Sequence, residues 1–135
     1  MPTAERILLD THVLLWWKAD RRRLSATARR HIDDAAELLI SPMTFWEVAM
    51  LVDKQRISLD RPTTSWSHDV LAEDRISLAP FTAQIAVTAG ELSPFPGDPV
   101  DRILTATAVE LGVPILTKDT RIRSYARGSA LRAVW

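Results

Sequence analysis

This sequence predicts an α/β fold, a parallel sheet covered on both faces by helices, and three observations carry the prediction. Short apolar runs suited to fully buried strands, such as Ile7–Leu9, Leu38–Ile40 and Ile76–Leu78, recur between longer stretches of helical character. Those stretches open on capping residues, twice with a proline at the first helical position, at Ser41-Pro42 and Asp98-Pro99. With 135 residues, 47% of them apolar and 25% charged, the chain has the size and composition of one globular domain, residues 1–135.

Taken in order, Arg6–Leu9 reads as a buried strand ending at Asp10, followed by a short helix over His12–Lys18. Ser25 caps a helix from Ala26 to about Ala36. Leu38–Ile40 is a second strand, and Ser41-Pro42 starts a helix that runs to about Lys54. Ile57–Leu59 and the Pro62 region connect it to a helix over Thr64–Glu73 and a third strand at Ile76–Leu78. Thr82 caps a helix to about Leu92. Ser93–Pro99 holds three prolines and a glycine and is irregular. Asp98-Pro99 then opens a helix that Gly112 ends, Pro114–Thr117 is a fourth strand, Thr120–Ala126 is helical, and Leu131–Trp135 adds an edge strand.

Composition excludes several classes of function. The absence of cysteine removes disulfide frameworks, thiol nucleophiles and thiolate zinc sites, and three scattered histidines leave little for an imidazole site. The longest apolar runs, Val13–Trp17 and Val48–Val52, are five residues each, against the roughly 20 a membrane helix needs. Glu5, Arg6 and Asp10 stand where a signal peptide would be apolar, so a cytoplasmic protein with no membrane partner is expected. Seventeen cations balance seventeen acids, and fourteen of the cations are arginine. A net charge of zero argues against a general polyanion binder, but not against a local basic face beside an acidic site.

The acids are the informative residues. In open parallel sheets, sites form beyond the carboxyl ends of the strands. Asp10 ends the first strand, Asp119 follows the fourth, Glu47 lies on the helix leaving the second, and Asp98 and Asp101 open the helix before the fourth. If the strands are parallel neighbours, these five carboxylates face one edge. Such a group needs a cation to stay ionised, and an all-oxygen donor set suits Mg²⁺ or Mn²⁺. Each also has a plainer reading: Asp98 and Asp119 as helix caps, Asp101 in a capping box, Glu47 on the polar face of its helix. Asp10, at the end of a buried strand, is the hardest to explain by structure alone. The five tryptophans could stack bases, although at helical spacing they read as core or dimer contacts. Arg21-Arg22-Arg23 reads as a solvated loop that could touch phosphate.

In order and spacing, the residues Leu8-Leu9-Asp10-Thr11-His12, Ser41-Pro42 leading to Trp46-Glu47, Gly97-Asp98-Pro99-Val100-Asp101-Arg102, and Thr117-Lys118-Asp119 resemble the PIN-domain ribonuclease toxins of the VapC type, over Ile7 to Trp135. The resemblance implies a three-layer α/β/α sandwich with a central parallel sheet of about four to five strands. It implies a Mg²⁺- or Mn²⁺-dependent endoribonuclease that hydrolyses RNA with an ion-activated water and leaves 5′-phosphate and 3′-hydroxyl ends. A cognate antitoxin would restrain it, in a homodimer or a toxin–antitoxin hetero-oligomer. Residue by residue, Asp10, Glu47, Asp101 and Asp119 match the metal-binding and catalytic acids, and Asp98 matches an additional aspartate. Thr11 and Thr117 match hydroxyls that position water or phosphate, and Arg102, Arg121 and Arg123 are candidates to hold phosphates. One departure is Gln55, where relatives often have a glycine after the Trp-Glu helix.

Two other classes remain open at this stage. An aspartyl phosphotransferase would use Asp10 as nucleophile, but His12 occupies the position where a second aspartate is wanted. A receiver-like module would bind Mg²⁺ only to switch a partner contact, but its key aspartate belongs on a middle strand.

Overall fold

The computed structural model describes residues 5–95 and 97–135. Its five strands are β1 (Arg6–Leu9), β2 (Glu37–Ile40), β3 (Ile76–Leu78), β4 (Ile115–Leu116) and β5 (Ala133–Val134). They form one parallel sheet in the order β3-β2-β1-β4-β5. Around them lie α1 (Thr11–Ala19), α2 (Ala26–Asp34), α3 (Pro42–Asp53), α4 (Thr63–Leu71), α5 (Ala83–Glu91), α6 (Pro99–Leu111) and α7 (Thr120–Arg127). Arg21–Arg23 makes one 3₁₀ turn.

The strands are apolar on both sides because both faces are covered. Side chains alternate along a strand, so Ile7 and Leu9 of β1 join Leu38 and Ile40 of β2 in a core with Val13, Leu14, Ile32, Val48 and Trp66 from α1–α4. Leu8, Leu39 and Ile115 point to the opposite face, against Ile85, Leu104 and Ile122 from α5–α7. This is the expected three-layer sandwich.

The expected elements are all present, with small shifts at their ends. The first helix begins at Thr11, directly on its Asp10 cap. The second stops at Asp34, where the chain turns extended at Ala35, and the fourth runs over Thr63–Leu71. Only Ile115 and Leu116 of the expected fourth strand keep ladder geometry. Ser25, Ser41 and Thr82 cap their helices, each accepting from a backbone N–H in the first turn. Gly112 ends α6 with φ 65°, a left-handed conformation that glycine adopts without strain. Gln55 ends α3 in the same region, with φ 59°, and a side chain there is strained.

The strand order fixes where a site can lie. The chain moves outward from β1 through β2 to β3, then returns to the other side of β1 as β4. The crossovers diverge between β1 and β4, which leaves a crevice beyond their carboxyl ends.

Candidate metal centre

Asp10 forms the floor of that crevice. Its backbone N–H donates to the Leu116 carbonyl at 3.0 Å, which ties the end of β1 to the end of β4. It stands at the N-cap of α1, yet its side chain makes no capping bond. Instead, Oδ2 accepts from the Thr117 hydroxyl at 2.7 Å, and the carboxylate is buried. Thr117 is itself fixed from the next strand, its N–H donating to the Val134 carbonyl at 3.0 Å. Thr11, fully buried, donates to the Thr44 hydroxyl at 3.1 Å and links the start of α1 to the first turn of α3. Glu47 follows one turn later on α3 and reaches the same crevice.

Two further helix starts complete the ring of acids. Asp98 caps α6, with Oδ1 accepting from the Asp101 N–H at 2.9 Å. Asp119 caps α7, with Oδ1 accepting from the N–H groups of Arg121 and Ile122 at 2.8 and 3.2 Å. Arg121 Nη2 lies between Asp101 Oδ2, at 2.7 Å, and Asp119 Oδ2, at 3.0 Å. Gly97 packs under this ring: a Cβ there would come within 2.4 Å of the Phe95 ring and 3.0 Å of the Asp101 Cβ. Any larger residue would press first on the Phe95 ring and also crowd the Asp101 Cβ.

The result is a cavity of about 270 Å³ lined by Asp10, Glu47, Asp98, Asp101 and Asp119, with His12, Val13, Trp16, Lys118 and Arg121 at its walls. Crowding marks the acids. Burial, followed by the charges of Asp98, Asp10 and Asp119, pushes Asp101 up to about 7 despite Arg121. Burial also raises Asp10 against the Thr117 hydrogen bond, and raises Glu47. Asp119 goes the other way. Burial acts to raise it, but the Arg121 side chain and the two backbone N–H donors outweigh that and hold it below the ordinary range.

The donor set is all oxygen, carboxylates outnumber the cations bonded to them, and the site sits in a water-accessible crevice; in type and charge it fits Mg²⁺ or Mn²⁺. Among the described residues, no three His, Cys, Asp or Glu side chains stand close enough as they are to ligate one ion. The Arg121 guanidinium bridges Asp101 and Asp119.

Asp10, Glu47, Asp98, Asp101, Asp119 and Arg121 thus meet in one cavity, and Thr117 touches it through Asp10. Thr11 acts one step behind, and Arg123 is not among the lining residues. Arg102 is turned elsewhere. Its guanidinium donates to the carbonyls of Ala89, Gly90, Leu92 and Phe95, at 2.9, 3.1, 2.9 and 2.7 Å, and braces the end of α5 against the start of α6. Trp16 and Lys118 were not expected at the cavity. A signal for each was present: Trp16 is one turn beyond His12 on α1, and Lys118 sits between Thr117 and Asp119.

The profile of the PIN domain matches residues 7–128. The chain belongs to the PIN-domain family. Among relatives of this PIN domain, Ribonuclease VapC22 of Mycobacterium tuberculosis is 43% identical over 120 residues, covering 88% of this chain and 91% of that protein. Among solved structures, VapBC-1 from nontypeable Haemophilus influenzae aligns with a TM-score of 0.67 at 16% identity, over 95% of this chain and 96% of that one. A toxin–antitoxin complex from Klebsiella pneumoniae aligns at 0.64 and 20% identity, over 93% and 98%. At such identities these structures speak for the fold, which is the PIN sandwich in each case.

Proposed function

We propose that this PIN domain is a Mg²⁺- or Mn²⁺-dependent endoribonuclease, the toxin of a cytoplasmic toxin–antitoxin pair. The observation that carries the reading is the convergence of Asp10, Glu47, Asp98, Asp101 and Asp119 on one cavity at the crevice between β1 and β4. The names of the relatives support it: one is a ribonuclease, and another is a toxin–antitoxin complex.

Asp10, Glu47, Asp101 and Asp119 would hold the ion. Asp98, with one oxygen engaged in the α6 cap, adds charge and keeps Asp101 in place. When bound, the ion stabilises charge on a phosphodiester under displacement and makes water a stronger nucleophile. Thr117 orients Asp10 by donating to Oδ2. Arg121, once released from Asp101 and Asp119, is placed to hold a substrate phosphate. That same arginine seats a guanidinium between two acids, which supports an antitoxin silencing the site with a basic side chain of its own.

The test is cleavage of total cellular RNA by purified protein with Mg²⁺ or Mn²⁺, beside EDTA and Asp101→Ala controls. Discrete fragments with 5′-phosphate ends that vanish in both controls are expected. Intact RNA after incubation with folded, antitoxin-free protein would overturn the reading. Light scattering of the isolated protein, with a homodimer expected, checks the proposed assembly.

A further inference from the structure

We propose that Trp16, Arg23 and Lys118 form a nucleotide-binding platform on the rim of the acidic cavity, where the indole stacks one unpaired base of single-stranded RNA and the two cations take adjacent phosphates. The inference rests on the ribonuclease reading and supplies what that reading lacks. Five carboxylates repel a polyanion, and a chain of zero net charge has no general field to draw one in.

Three observations place the platform. Trp16 is half-buried and lines the same cavity as Asp10 and Glu47. Its ring is held from the sides: Trp135 meets it edge-on at 5.8 Å and His12 lies tilted at 6.0 Å. Two exposed cations lie over it, Arg23 with its guanidinium carbon 4.8 Å from the ring centroid and Lys118 with its ammonium at 5.9 Å.

Of the neighbouring cations, three are paired with carboxylates, while Arg21 turns its guanidinium to the Trp17 carbonyl and ring. Lys18 pairs with Glu73, Arg22 with Asp20, and Arg121 with Asp101 and Asp119. Among the described residues, Arg23 and Lys118 have no carboxylate partner. The contact they share here is with the face of the Trp16 ring. A base is a better partner for that face than a solvated cation, and a phosphate is a better partner for each cation than the face. The exchange satisfies all three side chains at once, and both cations are on long, exposed stems that can swing aside.

The test is binding of a fluorescein-labelled single-stranded RNA dodecamer, read by anisotropy across KCl concentrations in EDTA and again in Ca²⁺. Replacing both cations (Arg23→Ala with Lys118→Ala) should flatten the slope of log affinity against log salt by about 1.4, or ~0.7 for each lost phosphate contact on a single strand. Trp16→Leu should weaken binding roughly ten- to a hundredfold with the slope unchanged. Because Trp16 also packs on the core, Trp16→Phe provides a folded check and should fall between wild type and Trp16→Leu. An unchanged salt slope in the double variant would overturn the platform. If the variants show these effects in binding but the wild-type protein cuts no RNA with Mn²⁺, the nuclease reading falls and the platform stands. Cleavage at wild-type affinity in every variant would do the reverse.

Discussion

Three helices of this protein start on hydroxyls and three start on carboxylates, and the two groups behave differently. Ser25, Ser41 and Thr82 each accept a first-turn N–H at the starts of α2, α3 and α5, as a neutral cap should. Asp10, Asp98 and Asp119 start α1, α6 and α7, and all three surround the crevice between β1 and β4. Among these acids the capping role is graded. Asp119 caps with two bonds and Asp98 with one, both through Oδ1 alone, while Asp10 makes no capping bond and turns its carboxylate to Thr117. Capping and ligation are therefore not rival readings of an aspartate, since a carboxylate has an oxygen for each. Asp10, the one of the three without a capping bond, spends its side chain on the Thr117 hydrogen bond at the floor of the cavity.

The strongest test of that contrast is Asp10→Asn. RNA cleavage should fall by at least about a hundredfold, a loss typical of removing a charge-stabilising group from an active site. The melting temperature in EDTA should hold or rise, because a buried carboxylate with a raised pKa is replaced by a neutral amide. A large loss of stability would make Asp10 a structural residue after all.

Asp101 gives the next largest effect. Its folded pKa is raised to about 7, so between about 4 and 7 the folded state binds more protons than the unfolded one. Its contribution is fully present below about pH 4 and is lost as pH rises through about 7. In EDTA, Asp101→Asn should therefore melt several degrees above wild type at pH 8 and close to it at pH 4. Asp119, held below the ordinary range, has the opposite sign: Asp119→Asn should cost stability near neutrality, and that difference should shrink as acid protonates the wild-type group.

Ser41→Ala probes the hydroxyl class. It should destabilise by about 1 kcal/mol, measured by urea unfolding, because the Met43 N–H loses its acceptor. Cleavage per folded molecule should be unchanged. The smallest effect belongs to the far end of the same helix. Gln55→Gly should stabilise by about 0.5–1 kcal/mol, since it relieves a left-handed side chain and gives back part of that gain as unfolded-chain entropy.

How much could be read beforehand follows the same division. Strand and helix positions were legible because buried parallel strands and capped helices leave local marks, and the acids were legible because strand ends and helix starts are local too. Arg102 was not. From the sequence it sits next to Asp101 and invites a phosphate-holding role, but the backbone turns it toward α5, where the carbonyls of residues 89–95 have no helical partners. For Trp16, helical spacing favours a core or dimer contact over base stacking, because spacing alone does not tell a packed face from a cavity rim. Its neighbours there, Lys118 and Trp135, come from far along the chain, and only the closed sheet brings them near.

The Arg102 brace has a consequence for how the molecule meets acid. All four of its acceptors are backbone carbonyls, which do not take up protons in the range where carboxylates do. Arg121, by contrast, is held by two groups that acid can discharge, Asp101 first. Acid that protonates both carboxylates would loosen the grip on Arg121, whereas the bonds at the junction of α5 and α6 hold no group for it to discharge.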